Sequence, residues 1–315
     1  MRRLVALFAI LSLSASACST DAGASGQGSQ FTSPDGVAVY LGGSSGPSGG
    51  ALWVDGEHLD YGNADLTGLF VDDGTVYVSG RSGILNRAVV WTDHEAERVN
   101  GSGAIASGLW VEDRVPYVVG TAGYLDRGSY WVGSEQTTLD ETNAVAFIVA
   151  VDGEDVYVAG TIGNAVETSG FWKNGEWTEL DSPEAKLADL FAVDGQTWIV
   201  GEYGLAARAG LWIDNVLHPV EDVAATVTHV FVENGNVYMA GFAGAQTIAA
   251  YWVNGERFDI AEDNAFLTDL FVHDGVVYVT GWYGLRGQAA FWADGERTDV
   301  ENPNAETHLI FVTDS

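Results

Sequence analysis

Three side chains with metal-binding and acid–base chemistry recur at a fixed interval. Asp189, His229 and Asp269 stand 40 residues apart, and each lies two residues before a phenylalanine. Carboxylates and imidazole can bind a divalent metal or form an acid–base pair. If equivalent positions of a repeat meet near one axis, this axial trio predicts a divalent-cation site. The alternative is that the three side chains hydrogen-bond the backbone and tie the repeats together. We expect no other cofactor.

A second set of candidate residues stands in loops that mostly follow the pattern Gly-x-x-Gly-x-x-x-x-Ala. Without Arg2 and Arg3, 11 of the 13 Lys and Arg residues remain, and five of them lie in these loops. Arginine beside an exposed aromatic ring offers forked hydrogen bonds and a flat stacking surface. We therefore expect a ligand face for a carboxylated or sulfated glycan, or for an acidic protein segment. Its candidate residues are Arg81, Arg87, Arg127, Tyr203, Arg208, Trp282, Tyr283 and Arg286.

These loop arginines have a second interpretation. They could pair with acids on the neighbouring loops and contribute only to stability. The candidate partners are Asp65, Asp140, Glu184, Asp222, Glu262 and Glu306.

The elements that position these residues are set by a repeat of about forty residues. Seven tryptophans are separated by 38, 40, 41, 40, 40 and 40 residues. Equivalent aromatics at such spacing are typical of core residues that fill the space between repeated units. The tryptophans are Trp53, Trp91, Trp131, Trp172, Trp212, Trp252 and Trp292.

Each unit contains four short runs of β-branched and aromatic residues, bounded by Asp-Gly or Asn-Gly turns. Such turns join antiparallel strands, and no sustained helical period is present. The pattern predicts an all-β, seven-bladed β-propeller with four antiparallel strands per blade. The expected inner-strand centres are Phe70, Trp110, Val149, Phe191, Phe231, Phe271 and Phe311. The glycines expected to end the second strands are Gly42, Gly80, Gly120, Gly160, Gly201, Gly241 and Gly281.

The two ends of the repeat complement one another. The first unit begins with its second strand near residue 37, and residues 309–314 form a first strand without a hairpin partner. Joining them completes a blade and closes the ring, which removes the exposed sheet edges. Residues 31–32 compete for that first-strand position, and a linear solenoid is the alternative fold.

The charge of the chain limits its partners. It has 44 acidic and 13 basic residues, for a net charge of −31. Nucleic acid and anionic lipid surfaces need clustered Lys and Arg, so both are poor partners for this chain; we expect no nucleic acid, and contact with a membrane through a lipid anchor only. We expect a monomer whose partner is a protein or a glycan.

The first residues are typical of an export signal. A basic start, an apolar run and small residues lead to Cys18, the single cysteine of the chain. We expect a lipoprotein signal peptide at residues 1–17, a lipidated Cys18 with a flexible tether at residues 18–33, and the propeller at residues 34–315. The protein would then be exported and lipid-anchored at the outer membrane, on its periplasmic face or on the cell surface. An ordinary cleaved signal that happens to contain a cysteine is the alternative.

The motifs FWKNG at residues 171–175 and YWVNG at residues 251–255 follow Val-Tyr-x-x-Gly segments. They resemble a group of bacterial surface lipoproteins with tandem YWKNG and VYVAG repeats. The resemblance covers all seven units and implies a β-propeller and a surface location. That group has no assigned activity, so the resemblance implies no catalytic residues.

The leading interpretation is a binding module without enzymatic activity. The loops differ from blade to blade, which favours one asymmetric partner over seven identical sugar sites. The alternative is a polysaccharide hydrolase or lyase with a site at the central channel mouth, near the axial trio. Four of the seven positions at that level carry Gly, Phe or Leu, which provides few of the converging groups that catalysis needs.

Overall fold

A computed structural model describes residues 29–46, 49–83, 85, 87–101, 103–123, 127–139, 143–163, 167–182, 184–220, 225–244, 248–262 and 264–315. Within these residues the chain forms 28 strands and no helix, so none of its described segments is a membrane-spanning helix. The strands form seven antiparallel sheets of four. The predicted seven-bladed β-propeller is confirmed. Cys18, the predicted signal peptide and most of the predicted tether lie outside the described residues.

Blade 1 contains the last strand of the chain together with the first three, and every other blade contains four consecutive strands. Blade 1 is β1 (Val37–Ser44), β2 (Gly50–Val54), β3 (Glu57–Asp60) and β28 (Glu306–Asp314); blade 2 is β4 (Ala64–Asp72), β5 (Thr75–Ser82), β6 (Arg87–Thr92) and β7 (Glu95–Arg98); blade 3 is β8 (Ile105–Glu112), β9 (Val115–Ala122), β10 (Arg127–Val132) and β11 (Glu135–Thr138). Blade 4 is β12 (Val145–Asp152), β13 (Asp155–Ile162), β14 (Thr168–Lys173) and β15 (Glu176–Glu179); blade 5 is β16 (Lys186–Val193), β17 (Gln196–Tyr203), β18 (Arg208–Ile213) and β19 (Val216–Pro219). Blade 6 is β20 (Thr226–Glu233), β21 (Asn236–Ala243), β22 (Ile248–Val253) and β23 (Glu256–Asp259); blade 7 is β24 (Phe266–His273), β25 (Val276–Tyr283), β26 (Gln288–Ala293) and β27 (Glu296–Asp299).

The hairpin turns follow from residues that tolerate a positive φ. In blade 7, Asp274 and Gly275 have φ of 50° and 78°, and in blade 6 Asn234 and Gly235 have 50° and 76°. Two consecutive positive φ values match the twist of the flanking strands, and Asp-Gly and Asn-Gly adopt them at little cost. These turns set the register that places the loop residues on one face of the ring.

The ring closes as the two chain ends predict. Strand β28 pairs antiparallel with β1, from Val37 opposite Asp314 to Ser44 opposite Glu306. Phe31 does not compete for this position, because it lies outside the sheet and packs edge-on against Phe291 with ring centroids 5.4 Å apart. The side chain of the adjacent Gln30 accepts a hydrogen bond of 2.7 Å from the Trp53 indole.

The seven repeated tryptophans are core residues, as predicted. Six are 0–1% exposed and Trp91 is 6% exposed, and they lie in clusters that join neighbouring blades. Replacing one of these tryptophans by Ala would leave a cavity among close-packed neighbours. Such a replacement should lower the free energy of unfolding by about 3–5 kcal/mol. The blades are therefore held mainly by this apolar wedge.

Each inner strand contains a bulge, and the recurrent glycine of the second strand faces it. At this glycine an added Cβ would overlap the carbonyl oxygen of the facing strand, as for Gly241 against Thr226. In blade 1 the residue at this position is Gly43, which faces Glu306, whereas Gly42 faces Leu309. The assignment of Gly42 was wrong by one residue, because the sequence contains two adjacent glycines and only the pairing distinguishes them.

Six aromatic residues form a closed ring around the axis. Successive ring centroids are 4.3–5.8 Å apart, from Phe311 through Phe70 and Trp110 and back by way of Phe271. The members are Phe70, Trp110, Phe191, Phe231, Phe271 and Phe311.

Blade 4 contributes no aromatic residue to this ring. Ala150, rather than the expected Val149, lies opposite Tyr157, in the register that the ring residues have in the other blades. The expectation failed because the Asp-Gly of this blade stands one position earlier, with Gly153 rather than Asp at the first turn position. Trp110 spans the resulting gap and contacts Phe191 directly, with centroids 5.8 Å apart.

Candidate functional site

A groove lies over blade 1, between the loops of blades 7 and 2. Its volume is about 720 Å³, and its floor contains the small residues Gly43, Ser44, Gly46 and Gly49. The other loops between second and third strands contribute large side chains such as Tyr203 and Tyr283, whereas the described residues of this loop are small. The blade-1 groove therefore exists because one loop lacks bulk while its neighbours keep theirs.

Two of the predicted arginines meet in the blade-1 groove. Arg81 comes from β5 of blade 2, and Arg286 comes from the loop after β25 of blade 7. Since blade 1 lies between these blades, the two guanidinium groups approach the groove from opposite sides. Their positions are 205 residues apart in the chain, so only ring closure brings them together.

The charges in the blade-1 groove are unequally engaged. Arg81 forms an ion pair with Asp65, as the second interpretation of the arginines expects, while its buried Nε has no hydrogen-bond partner among the described residues. Arg286 is exposed and forms no ion pair within the described part of the chain. His308 and Glu306 line the same wall, and their nearest nitrogen and oxygen are 3.8 Å apart. The groove thus offers an anion the guanidinium of Arg286, which has no ion partner among the described residues, beside an Arg81 guanidinium that is already paired with Asp65.

The other predicted arginines do not join this groove. Arg87, Arg127 and Arg208 begin the third strands of blades 2, 3 and 5, and each is exposed. None forms an ion pair with another residue that the structure describes. Among the acids suggested as partners, Glu262 pairs with Arg297 at 2.9 Å, and Asp140 and Asp222 lie outside the described residues.

The predicted aromatic residues mainly pack within their own blades. Tyr203 and Tyr283 each stand edge-on to the core tryptophan of the blade, at 6.5 and 6.4 Å. The Tyr283 hydroxyl donates to Asp299 at 3.1 Å, and the Arg297 guanidinium lies 4.1 Å from the ring centroid. Burial is the main cause that raises the pKa of Tyr283. These contacts hold the two tyrosines partly buried within their own blades.

Trp282 points the other way along β25 and stacks on Phe266. The two rings are 4.5 Å apart and nearly parallel, and Phe242 of blade 6 packs against the far side of the pair. Phe266 is 43% exposed. The loop face therefore carries one partly exposed aromatic stack, at the boundary of blades 6 and 7.

The axial trio lies in the central channel and is engaged by the backbone. Asp189 accepts hydrogen bonds from Leu190 at 2.8 Å and from Val230 of the next blade at 3.0 Å. Asp269 repeats the arrangement with Leu270 at 2.8 Å and Ile310 at 2.9 Å. Each carboxylate thus joins its own blade to the following one, which is the alternative that the sequence left open.

His229 occupies the intervening blade and is also engaged. Its Nδ1 lies 2.9 Å from the Thr228 hydroxyl. Desolvation lowers the pKa of His229 to about 4, whereas the same cause raises the pKa of Asp189 and of Asp269 to about 7. The ligand atoms of Asp189, His229 and Asp269 do not all lie within 4.8 Å of one another, so these side chains would have to move to share one cation.

The channel around the axial trio is small and largely apolar. Its volume is about 360 Å³, and Gly68, Gly108, Ile148 and Leu309 occupy the remaining positions at the level of the trio. The phenylalanine expected at this level from the sequence is Phe147, but the shift in blade 4 places Ile148 there. The six aromatic residues of the ring line the same channel. Since glycine, apolar and aromatic residues occupy most of its lining, the axis provides few converging polar groups for catalysis.

Comparisons with known proteins define the class of this fold. No family model matches the chain, and no curated protein matches it in sequence. It is similar to the β-propeller domain of the Trilobed protease from Pyrococcus furiosus, described as having an open velcro topology. The TM-score is 0.60, with 13% identity over 88% of this chain and 98% of that one.

Propeller domains of other peptidases are similar in the same way. The Pyrococcus horikoshii acylaminoacyl peptidase gives a TM-score of 0.56 with 15% identity, over 86% of this chain and 52% of that one. A puromycin-hydrolyzing peptidase from Mycobacterium tuberculosis gives 0.53 with 8% identity, over 77% and 46%. The chain therefore spans about half the length of these peptidases. At such low identity the comparisons show the β-propeller fold alone, and the likeness to surface lipoproteins remains one of repeat motifs.

Proposed function

We propose that this protein is a binding module that recognises an anionic ligand in the blade-1 groove. The observation that carries the proposal is the approach of Arg81 and Arg286 from opposite sides to a floor of small residues. A guanidinium offers a fixed fork of donors that matches a carboxylate or sulfate. In a chain with net charge −31, an exposed arginine without an ion partner among the described residues is available for such a ligand.

The ligand chemistry is a carboxylate or sulfate presented by a glycan or by an acidic protein segment. The groove is asymmetric, since its walls come from three different blades and its floor is unique to blade 1. A single ligand segment in one orientation fits this arrangement better than a repeated sugar on every blade.

Thermal unfolding of the purified chain would test the proposal. Ligands that bind the folded state raise the melting temperature. We expect a rise with polygalacturonate or with poly-L-glutamate, and none with neutral dextran. A larger rise with polygalacturonate would identify the ligand as a glycan, and a larger rise with poly-L-glutamate would identify it as a peptide. Equal shifts with dextran, or no shift with either polyanion, would reject the groove as an anion site.

The geometry does not favour the alternative of a hydrolase or lyase at the channel mouth. Both axial carboxylates are occupied by backbone N–H groups, and His229 is held mainly neutral by burial. Replacing His229 by Gln should therefore leave any polysaccharide cleavage at background level, as in the parent protein.

We also propose that the module is exported and attached to a membrane through a lipid on Cys18. The support is the sequence of residues 1–18 and the Gly/Ser-rich segment that follows. In detergent phase separation, the parent protein should enter the detergent phase and Cys18→Ser should stay in the aqueous phase. Equal partitioning of the two forms would exclude lipidation.

A further inference from the structure

The face opposite the blade-1 groove carries a repeated contact between neighbouring blades. At the end of the first strand, an acidic side chain accepts a hydrogen bond from the backbone N–H of the turn in the next blade. The acceptor and donor pairs are Asp72 with Arg114, Asp152 with Gly195, and Glu233 with Gly275. One carboxylate therefore serves one amide at each of these boundaries.

The boundary where the ring closes departs from this rule. His273 stands at the position that the acids occupy, at the end of β24, and its partner is a side chain of the closing strand. Its Nε2 lies 3.0 Å from Oδ1 of Asp314, at the end of β28. An imidazole thus faces a carboxylate where the described boundaries above pair a carboxylate with an amide.

A second carboxylate joins this pair. Asp274, in the turn after β24, places its ligand atom so that all three ligand atoms lie within 4.8 Å of one another. In a tetrahedral zinc site with bonds of about 2.0–2.2 Å, ligand atoms lie roughly 3.4 Å apart. Small rotations of the half-buried His273 and the two exposed aspartates would bring the three groups to that spacing, and a water molecule could take the fourth position.

We propose that His273, Asp274 and Asp314 bind a divalent transition-metal ion, which fastens the closing strand β28 to blade 7. The ion would neutralise two neighbouring carboxylates, of which only that of Asp314 contacts the imidazole. Imidazole with two carboxylates suits zinc and related ions, whereas calcium prefers six to eight oxygen ligands. The proposal does not depend on the blade-1 groove, which lies on the other face.

Zinc is the probe for the test, with the full-length chain carrying Cys18→Ser so that its single thiol cannot bind the metal. After treatment with a chelator, zinc should raise the melting temperature with a stoichiometry near one by calorimetry, and the same concentration of calcium should not. His273→Ala and Asp274→Asn should each abolish the rise. The second variant keeps the turn, because Asn234 adopts the same backbone conformation in blade 6.

His218→Ala is the matched control, because His218 is an exposed histidine on β19. It should keep the full response to zinc. No rise in the parent chain, a rise that persists in both site variants, or an equal rise with calcium would overturn the proposal.

Discussion

The carboxylate of Asp269 should contribute strongly to the closure of the ring. It accepts hydrogen bonds from Leu270 in its own blade and from Ile310 in β28, at 2.8 and 2.9 Å. The change Asp269→Ala removes both acceptors and leaves two backbone N–H groups without a partner. Asp189→Ala makes the same change between blades 5 and 6, where Leu190 and Val230 lose their acceptor.

The expected cost follows from these two hydrogen bonds. A buried donor left unsatisfied costs about 1–3 kcal/mol. Two donors would cost about 2–6 kcal/mol, and removing a carboxyl group that is itself poorly solvated offsets part of this. We therefore expect Asp269→Ala to lower the free energy of unfolding by about 2–4 kcal/mol. Asp269→Asn keeps one acceptor oxygen, and should cost about half as much.

The cost should also depend on pH. Burial raises the pKa of Asp269 from 3.8 to about 7 in the folded protein, so the folded state binds this proton more tightly than the unfolded chain. The contribution of the carboxyl group is complete below about pH 4 and is lost as the pH rises through about 7. The destabilisation by Asp269→Ala should therefore be larger at pH 5 than at pH 8.

Urea unfolding at pH 5 and pH 8 would measure both effects. Glu296→Gln, a change at an exposed side chain of β27, is the control, and should stay within about 0.5 kcal/mol of the parent at both pH values. A cost below about 1 kcal/mol, or a cost that is larger at pH 8, would refute the bridging role.

Three further predictions concern packing, closure and ligand binding. Ala150→Phe should destabilise the fold by about 1–3 kcal/mol in thermal or urea unfolding, because Trp110 already spans the gap in the aromatic ring; an unchanged free energy of unfolding would mean that the gap has room for another ring. Gly43→Ala should lower the melting temperature more than Gly42→Ala, since its Cβ would overlap the Glu306 carbonyl, whereas at Gly42 it would lie 3.0 Å from a movable Leu309 side chain; the reverse order would contradict the pairing of β1 with β28. The affinity for a polyanion should fall as NaCl is raised from 20 to 200 mM, roughly the range over which charges about 10 Å apart become screened; an affinity independent of salt would argue against recognition by arginine.

The number of blades and the closure could be read from the sequence because every blade needs the same parts. The wedge-shaped space between neighbouring blades must be filled by a large apolar side chain, so the tryptophans recur. Each hairpin needs a turn with positive φ, so Asp-Gly and Asn-Gly recur. The incomplete set of strands at the start of the repeats and the unpaired strand at their end then complete one blade by pairing with each other.

The register within a blade could not be read with the same accuracy. In blade 4 the glycine of the first hairpin stands one position earlier than the usual Asp-Gly alignment implies, so Ala150 occupies the ring position that was predicted for Val149. In blade 1 the adjacent Gly42 and Gly43 look alike in sequence, and only the bulge opposite Glu306 selects between them.

The candidate site was predicted in its residue types but not in its location. Arg81 and Arg286 were among eight candidates, and nothing in their local sequence shows that they share one groove. Tyr203 and Tyr283 were indistinguishable in sequence from exposed recognition residues, because their contacts with core tryptophans arise from the pleat of the strand. The signal that sequence reasoning missed was the run of small residues at positions 42–50. Among the loops that join a second to a third strand, this one alone has no large side chain in the sequence.

The most direct test of the anion-binding groove compares two arginines on the same face. Arg286 lines the groove, whereas Arg208 is also exposed but lies outside the groove, on blade 5. With the better of polygalacturonate and poly-L-glutamate at low salt, Arg286→Ala should weaken binding about tenfold, which corresponds to about 1.4 kcal/mol. Arg208→Ala should change the affinity less than twofold. Equal losses in the two variants would contradict the groove and indicate general attraction to the loop face.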